Sequence, residues 1–244
     1  MTSFICWRNI LTKRSGNIYT PRLLFARVKS KIENEGAIAF LKALFALFRY
    51  NLFYRKSYYL FRHKSTDVIP EERLHSVQAS TFIIVSTNEE ADKLALTTGT
   101  DFRQRFPHAR EALDNGGIAF CIFVDKEIVH ISWACVNGEV QKILGEPPLK
   151  VDFANNEALV GSLWTHPKYR RMGLAPYVTR KRNLYMRDLG KAALLGTIAI
   201  GNTSSLKVPT SGRSKIYAVG RHLKILCWES WKETPIDLKQ ESAK

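Results

Sequence analysis

The stretch THPKYRRMGLAPY, residues 165–177, joins an apolar run to an amphipathic one. The run before it, EALVGSLW (157–164), is rich in residues that favour strands, and the run after it, LAPYVTRKRNLYMRDLG (174–190), has apolar residues three and four positions apart. We therefore predict a strand, a tight basic turn and a helix. Free N–H groups at a helix N-terminus and the helix dipole both attract negative charge, so the turn is a predicted anion-binding site.

The flanking sequence predicts a mixed α/β sheet. Two β-rich runs that meet at Asp125-Lys126 indicate a hairpin, and a polar cap followed by acidic residues indicates a helix over 87–99. The other predicted elements are a strand at 80–86, a second helical segment at 100–116 interrupted near Pro107, a loop at 137–156, a strand at 192–200, a loop with a short helical turn at 201–212, and one or two strands at 215–231. This order places the basic turn inside a central βαβ unit.

The turn and this order of elements resemble the GNAT superfamily of acyl-CoA N-acyltransferases. The family signature V-x-P-x-x-[RQ]-x-x-G-x-[GA] reads THPKYRRMGLA at residues 165–175, with Thr165 in place of Val. The resemblance covers roughly residues 80–233 by element order, while the specific motif is confined to 165–175. It implies an α/β fold with a mixed, largely antiparallel central sheet and a βαβ cofactor-binding core.

The resemblance implies acetyl-CoA as the acyl donor and no metal ion. In the family the backbone amides of this turn bind the pyrophosphate of coenzyme A, where Gly173 would admit phosphate oxygens without a Cβ in the way. A plain basic helix cap is the alternative for the turn, and a common Gly-Asn turn is the alternative for Asn202. The implied cofactor-binding residues are Leu163, Trp164, Thr165, Arg170, Arg171, Met172, Gly173, Leu174, Ala175, Asn202 and Ser205.

The implied reaction is direct transfer of an acetyl group to a primary amine in a ternary complex. A backbone N–H between Leu163 and Thr165 would hold the developing oxyanion. For the general base, Glu157 lies on the same predicted strand face as Leu163, and His130 has an unperturbed pKa suited to the task. A solvated strand-start acid and a hydrogen-bonded structural histidine are the alternatives for these two side chains.

The group that protonates the departing thiolate is not evident from the sequence. Many family members have a Tyr seven residues after the conserved Asn, where this chain has Pro209, and Tyr217 is the candidate in that region. The missing Tyr motivates an alternative function, a non-catalytic acyl-CoA-binding sensor or a basic membrane adaptor. For the acceptor we keep an amino sugar or another small-molecule, membrane-associated or lipid-linked amine as a hypothesis.

Positive charge is concentrated near the N-terminus. The formal net charge is +15, and residues 1–65 hold 13 basic residues against two acidic ones. We assign residues 1–64 to a basic, aromatic-rich extension that is helical over 36–62, and residues 234–244 to a polar tail. The longest charge-free apolar run within this predicted helix, Ala43–Phe48, is far shorter than the roughly 20 residues that a spanning helix needs. The helix is therefore predicted to lie on a membrane surface or to pack on the domain behind it.

These features predict a cytoplasmic protein that contacts the inner face of a membrane and does not bind nucleic acid, for which no motif is present. The segment before Glu33 holds no acid and is rich in Arg, Ser and Thr, so a mitochondrial transit peptide and a matrix location are the alternative. The four cysteines, Cys6, Cys121, Cys135 and Cys227, lack metal-ligand spacing and are predicted to be mainly buried thiols.

Overall fold

The computed structural model describes residues 53–64, 77, 79–106, 108–206, 214–225 and 228–236. The strands are β1 (Phe53–Lys64), β2 (Ser80–Val85), β3 (Ile118–Val124), β4 (Glu127–Cys135), β5 (Glu157–Thr165), β6 (Ala193–Ala199), β7 (Lys215–Ile225) and β8 (Trp228–Pro235). The helices are α1 (Asn88–Thr98), α2 (Ala109–Asp114), α3 (Gly138–Ile143) and α4 (Leu174–Asp188). The chain divides into two compact units, a larger one of residues 57–220 with 233–244 and a smaller one of residues 1–56 with 221–232.

The sheet is mixed and mainly antiparallel. Its strands are hydrogen-bonded in the order β2-β3-β4-β5-β6-β1-β7-β8. The pairs β2-β3, β3-β4, β4-β5 and β6-β1 run antiparallel, whereas β5 and β6 run parallel and are connected through α4. The predicted fold class, a largely antiparallel sheet built around a βαβ unit, is confirmed.

The strand β1 corrects the predicted N-terminal helix. Its residues Tyr58–Lys64 pair antiparallel with β6, and the side chains of Tyr58 and Leu60 are buried two positions apart, as in a strand. The helix predicted over 36–62 is therefore wrong for residues 53–62, while 36–52 lie outside the described residues. Dense aromatic residues suggested a helix, but Tyr and Phe also favour strands. Residue 64, the predicted end of the extension, is the last residue of β1.

The boundaries around the basic turn are close to those predicted. Strand β5 covers the predicted residues, and α4 and β6 end within two residues of the predicted limits. The hairpin is confirmed at Asp125-Lys126, where φ values of 47 and 68° are those of a type I′ turn. The loop predicted over 137–156 is wrong in part, because the Asn137 side chain accepts a hydrogen bond from Val140 N at 2.9 Å and caps α3.

Helix α4 packs on one face of the sheet through a stripe of apolar residues four positions apart. Leu174, Val178 and Met186 are buried in one core cluster with residues of β3, β4, β5 and β6. On the other face, the Trp133 ring lies 6.2 Å from the ring of Phe102, between centroids. Both faces of β3 and β4 are therefore buried among apolar side chains, and polar groups approach the sheet from strand ends and loops.

The cysteine prediction is confirmed for Cys121 and Cys135, which are buried free thiols. Burial raises the pKa of the Cys121 thiol far above its usual range, so it stays protonated. Cys6 and Cys227 lie outside the described residues. In the part of the chain that the structure describes, no helix is long and apolar enough to cross a membrane.

The smaller unit has its own polar contacts. Glu229 on β8 accepts a hydrogen bond from His222 Nε2 at 2.7 Å, and the Lys224 ammonium lies 3.2 Å from its second oxygen. The His222 ring also packs edge-on against Tyr54 and Trp231, with centroid separations of 5.1 and 5.9 Å. These contacts join the ends of β7 and β8. Residues 215–231 were predicted to form one or two strands, and the structure has two strands there.

Candidate active site

The strands β5 and β6 diverge towards their C-terminal ends. Their parallel pairing covers three positions, from Glu157↔Ala193 to Leu159↔Leu195, and is absent from the rest of these two described strands. Strand β6 nevertheless continues to pair with β1 as far as Ala199. The far half of β5 therefore leaves the neighbouring strand, and an opening forms in the sheet beyond Leu159.

A β-bulge lies on the side of β5 that faces β4. Between the pairs Ile131↔Trp164 and Trp133↔Gly161, β5 has one residue more than β4. The extra residue is accommodated at Ser162, whose φ of 45° is left-handed, and Leu163 beside it is 49% exposed. Of the three residues predicted to hold an oxyanion, Leu163 is at the bulge, whereas Trp164 and Thr165 are back in register with β4.

The basic turn leads from the end of β5 into α4. A 3₁₀ turn at Pro167–Tyr169 is followed by Arg171 and Gly173, whose φ values of 65 and 81° are both left-handed. Gly173 is the N-cap of α4 and contributes no side chain to cap it. The first N–H groups of a helix have no partner within the helix, so the start of α4 offers backbone donors to an anion.

The predicted cofactor-binding residues of the turn differ in their exposure to solvent. Arg170, Arg171 and Met172 are exposed, whereas Leu174 is 2% exposed and packs its side chain into the core. The Arg170 Nε also donates to the Thr165 carbonyl at 3.3 Å. Leu174 and the half-buried Ala175 could therefore serve an anion through backbone groups alone.

Asn202 lies just beyond β6 and caps the helical turn 203–206. Its side-chain oxygen accepts hydrogen bonds from Ser205 N at 3.2 Å and from Ser204 Oγ at 3.0 Å. Pro209, where many family members have a Tyr, lies outside the described residues.

Glu157 and Tyr217 are placed away from the opening. Glu157 begins β5, six residues before Leu163, which is about 20 Å of strand. It forms an ion pair of 2.5 Å with Arg62 and accepts from Asp152 N at 2.9 Å. Burial raises the pKa of Tyr217 to about 12, and the charges of Glu233 and Glu157 add to the rise. Glu157 was predicted to share a strand face with Leu163, but the extra residue at the bulge interrupts the alternation between them, and the structure does not bring Glu157 to the basic turn.

Glu157 lines a polar cleft of about 680 Å³ at this far end of β5. The other lining residues are Arg62, Lys150, Val151, Asp152 and Asn155. Glu157 is 7% exposed and paired with Arg62, so it is not the solvated strand-start acid of the predicted alternative, and this cleft lies away from the basic turn.

His130 lies beside the end of β5 but is enclosed. It is 0% exposed, and its Nδ1 shares a hydrogen bond of 2.8 Å with Thr165 Oγ1. Burial, and secondly the positive charge of Arg182, lower the pKa of His130 to about 4. The imidazole is therefore neutral at physiological pH. None of its surface is exposed to solvent, which favours the predicted structural role over that of a general base.

This histidine is expected to make stability depend on pH. Its folded-state pKa of about 4 lies below the unfolded value of 6.5, so the unfolded chain binds more protons between these limits and stability falls as pH falls. The difference corresponds to about 3 kcal/mol between pH 7 and pH 4. Urea unfolding of wild type and His130→Asn across this range measures it. Parallel pH profiles for the two proteins would contradict a buried neutral His130.

Two ionisable residues near the bulge, the half-buried Glu146 and the buried Arg182, were not predicted from the sequence. Burial, as the largest effect, raises the pKa of the Glu146 carboxyl, against hydrogen bonds from Ser162 that lower it. Arg182 on α4 is 4% exposed, and burial lowers the pKa of its guanidinium to about 10. Arg182 continues the apolar stripe of Leu174 and Val178, so helical spacing could have placed it in the core. Glu146 follows α3 in a loop, where no sequence signal distinguishes it.

The buried guanidinium of Arg182 reaches β4 opposite the bulge. Its Nη1 donates to Ser132 Oγ at 2.8 Å and its Nη2 to Asn183 Oδ1 at 3.3 Å. Its Nε has no hydrogen-bond partner within the described ranges, and no acidic group there offsets the burial of the cation. An unneutralised positive charge therefore lies beside the part of β4 that is opposite the bulge.

Comparisons with known proteins find similarity at the level of fold. Neither a protein-family model nor a curated protein sequence matches this chain. Similar solved structures are a GCN5-related N-acetyltransferase from Kribbella flavida (TM-score 0.43, 16% identity, 75% of this chain and 63% of that one), another from Sphaerobacter thermophilus (0.44, 10%, 84% and 59%) and a GCN5-related N-acetyltransferase-like protein from Streptococcus suis (0.46, 12%, 84% and 76%).

These three structures are at most 16% identical to this chain and have TM-scores below 0.5, so they carry no inference about its chemistry. For four of the matched structures, the aligned part spans 58, 63, 62 and 59% of the other chain, less than two thirds of its length. The chemistry of this chain is therefore inferred from its own residues.

Proposed function

We propose that the larger unit binds acetyl-CoA and transfers the acetyl group to a primary amine. The observation that carries this proposal is the divergence of β5 from β6 combined with a glycine-capped helix N-terminus at the end of the same β5. The first N–H groups of α4 would bind the pyrophosphate, since they are donors at the positive end of the helix dipole. The exposed cations Lys168, Arg170 and Arg171 would add charge-assisted contacts to the phosphates.

In the proposed reaction the amine nitrogen attacks the thioester carbonyl carbon, so that a C–N bond forms as the C–S bond breaks. Negative charge that develops on the carbonyl oxygen would be held by a backbone N–H at the bulge, for which Leu163 is the candidate. The buried positive charge of Arg182 beside β4 would stabilise the same oxygen through its field. The amine loses a proton to a base or to water, and the thiolate takes one up as it leaves.

Calorimetric titration of acetyl-CoA into wild type and Gly173→Asp tests the cofactor site. We expect micromolar affinity in the wild type and a loss of at least about 100-fold in the variant, because a carboxylate would repel the phosphates and compete for their N–H donors. Gly190→Asp is the matched control. Gly190 also has a left-handed φ, 76°, and follows the other end of α4 with open space around it.

The control separates phosphate binding from backbone strain, since both variants force Asp into a left-handed conformation. Gly190→Asp should bind acetyl-CoA within about threefold of the wild type, because the C-terminal end of α4 offers no N–H donors. Equal losses in both folded variants, or no binding by the wild type, would contradict the proposed cofactor site.

A non-catalytic acyl-CoA-binding protein is the second candidate function. It is favoured by the position of Glu157 and Tyr217, which lie together at the far end of β5 from the bulge. Release of free coenzyme A thiol in the presence of polyamines and amino sugars distinguishes the two functions. The amino-sugar or lipid-linked acceptor and the membrane contact of the N-terminal residues stay predictions.

A further inference from the structure

Glu146 is half-buried against the bulge of β5. Its Oε1 accepts a hydrogen bond from Ser162 Oγ at 2.7 Å. The carboxyl group lies where the side chain of residue 161 would be: a Cβ on Gly161 would come within 2.7 Å of Glu146 Cδ and 2.9 Å of Oε2. Glycine at position 161 therefore makes room for this carboxylate beside the strand.

The hydrogen bond to Glu146 accompanies a conformation that serine seldom adopts. The φ of Ser162, 45°, is left-handed, which costs free energy in a residue with a Cβ and persists where surrounding contacts impose it. The carboxylate that accepts from the Ser162 hydroxyl and occupies the space beside Gly161 is such a contact. The conformation of Ser162 in turn decides the direction of the next peptide group, the N–H of Leu163.

The bulge is held from both faces of the sheet. Trp133 and Gly161 are paired and share a face, so Glu146 approaches from the Trp133 side. Ser132, which precedes Trp133 in β4, faces the opposite side of the sheet. There its Oγ accepts a hydrogen bond from Arg182 Nη1 at 2.8 Å. Arg182 is hydrogen-bonded to β4 and Glu146 to β5, so of these two contacts the one with Glu146 acts on the bulged strand itself.

We propose that Glu146 is a positioning residue that imposes the left-handed conformation of Ser162 and thereby aims the Leu163 N–H into the opening between β5 and β6. This inference rests on the proposed function, in which that N–H contacts the thioester carbonyl oxygen. Glu146 acts through Ser162 and needs no contact with the substrate. The resulting specificity is for the acyl thioester, since unacylated coenzyme A has no carbonyl at this end.

Binding of acetyl-CoA and of coenzyme A to Glu146→Ala tests the proposal. We expect the variant to lose about tenfold in affinity for acetyl-CoA, the size of one hydrogen bond to a carbonyl, while its affinity for coenzyme A stays within about twofold. Glu157→Ala, which removes a carboxylate from the other end of the same strand, should change neither affinity. A variant that loses both ligands equally, or neither, would overturn the inference.

A rescue variant separates positioning from other roles of the carboxylate. Glycine adopts left-handed φ values without strain, so Glu146→Ala combined with Ser162→Gly should restore the bulge and bring acetyl-CoA affinity back to within about threefold of the wild type. If Glu146 acted as a proton acceptor or only filled space, the added glycine would not restore the acetyl-CoA preference.

The amide resonances of Ser162 and Leu163 give a readout that does not depend on any ligand. In ¹⁵N NMR spectra, both should shift in Glu146→Ala, and Leu163 should return towards its wild-type position in the double variant. An unchanged Leu163 resonance in Glu146→Ala would overturn the inference even if the wild type bound acetyl-CoA. A shifted and rescued resonance without binding by the wild type would support the positioning role and reject the proposed function.

Discussion

Removal of residues 1–64 is expected to abolish folding of the larger unit. The strand β1 pairs with β6 from Tyr58↔Ala199 to Lys64↔Ala193, and Leu60 within it is 0% exposed. Without this strand one edge of β6 and the apolar surface under Leu60 would be open to water. A buried Leu side chain alone contributes about 1.5–3 kcal/mol, against a total stability of about 5–15 kcal/mol for a domain. Circular dichroism and urea unfolding of residues 65–244 measure the effect.

A point substitution tests the same strand in the full chain. Leu60→Asp would bury an unpaired carboxyl group and is expected to cost at least about 4 kcal/mol, whereas Lys64→Asp at the exposed end of β1 should stay within about 0.5 kcal/mol of the wild type. Cooperative urea unfolding of residues 65–244 with the full-length midpoint would show that β1 is dispensable.

The parts of the fold that were predicted correctly are those with strong local patterns. The run 157–165 alternates strand formers, residues 174–188 repeat apolar side chains at helical spacing, and the two are separated by a turn with Pro and Gly. Each of these signals is complete within about 15 residues of sequence. The βαβ unit could therefore be placed before any pairing was known.

The strand β1 could not be predicted in the same way, because its partner lies far away in the chain. Tyr58 pairs with Ala199 and Lys64 with Ala193, so the pairing depends on tertiary structure. Locally, the segment has aromatic residues on both sides of the backbone and basic residues between them, which suits a helix or a strand. Pairing with β6 and burial of Leu60 decide between the two.

The basic turn could be located from the sequence because its motif, residues 165–175, is contiguous. The side chains proposed for acid-base chemistry could not be placed in this way. Strand alternation was used to put Glu157 on the face of Leu163, but the bulge at Ser162 interrupts that alternation, and parity says nothing about distance along the strand. The carboxylate beside the bulge belongs instead to Glu146, which reaches β5 from a loop, and only the fold brings them together.

Substitution of Gly196 is expected to disrupt the sheet where β5 leaves β6. A Cβ at this position would lie 2.8 Å from the Val160 carbonyl oxygen and 2.7 Å from Phe61 Cε1. Phe61 is the partner of Gly196 in the β1–β6 ladder and packs against the core, and Val160 is 3% exposed. Neither neighbour can retreat without moving backbone or core side chains.

We expect Gly196→Ala to cost about 1–3 kcal/mol and Gly196→Val more, because overpacking forces strands apart. The matched control is Gly138→Ala at the start of α3, where the nearest atom to a Cβ is Phe153 Cε2 at 4.0 Å. That variant should be unchanged or slightly more stable, since Ala favours a helix over Gly by about 1 kcal/mol. The midpoints of urea unfolding of the wild type and of these three variants test the prediction. Gly196→Ala as stable as Gly138→Ala would mean that β5 can shift away from β6 at little cost, and the width of the opening would then not be fixed by Gly196.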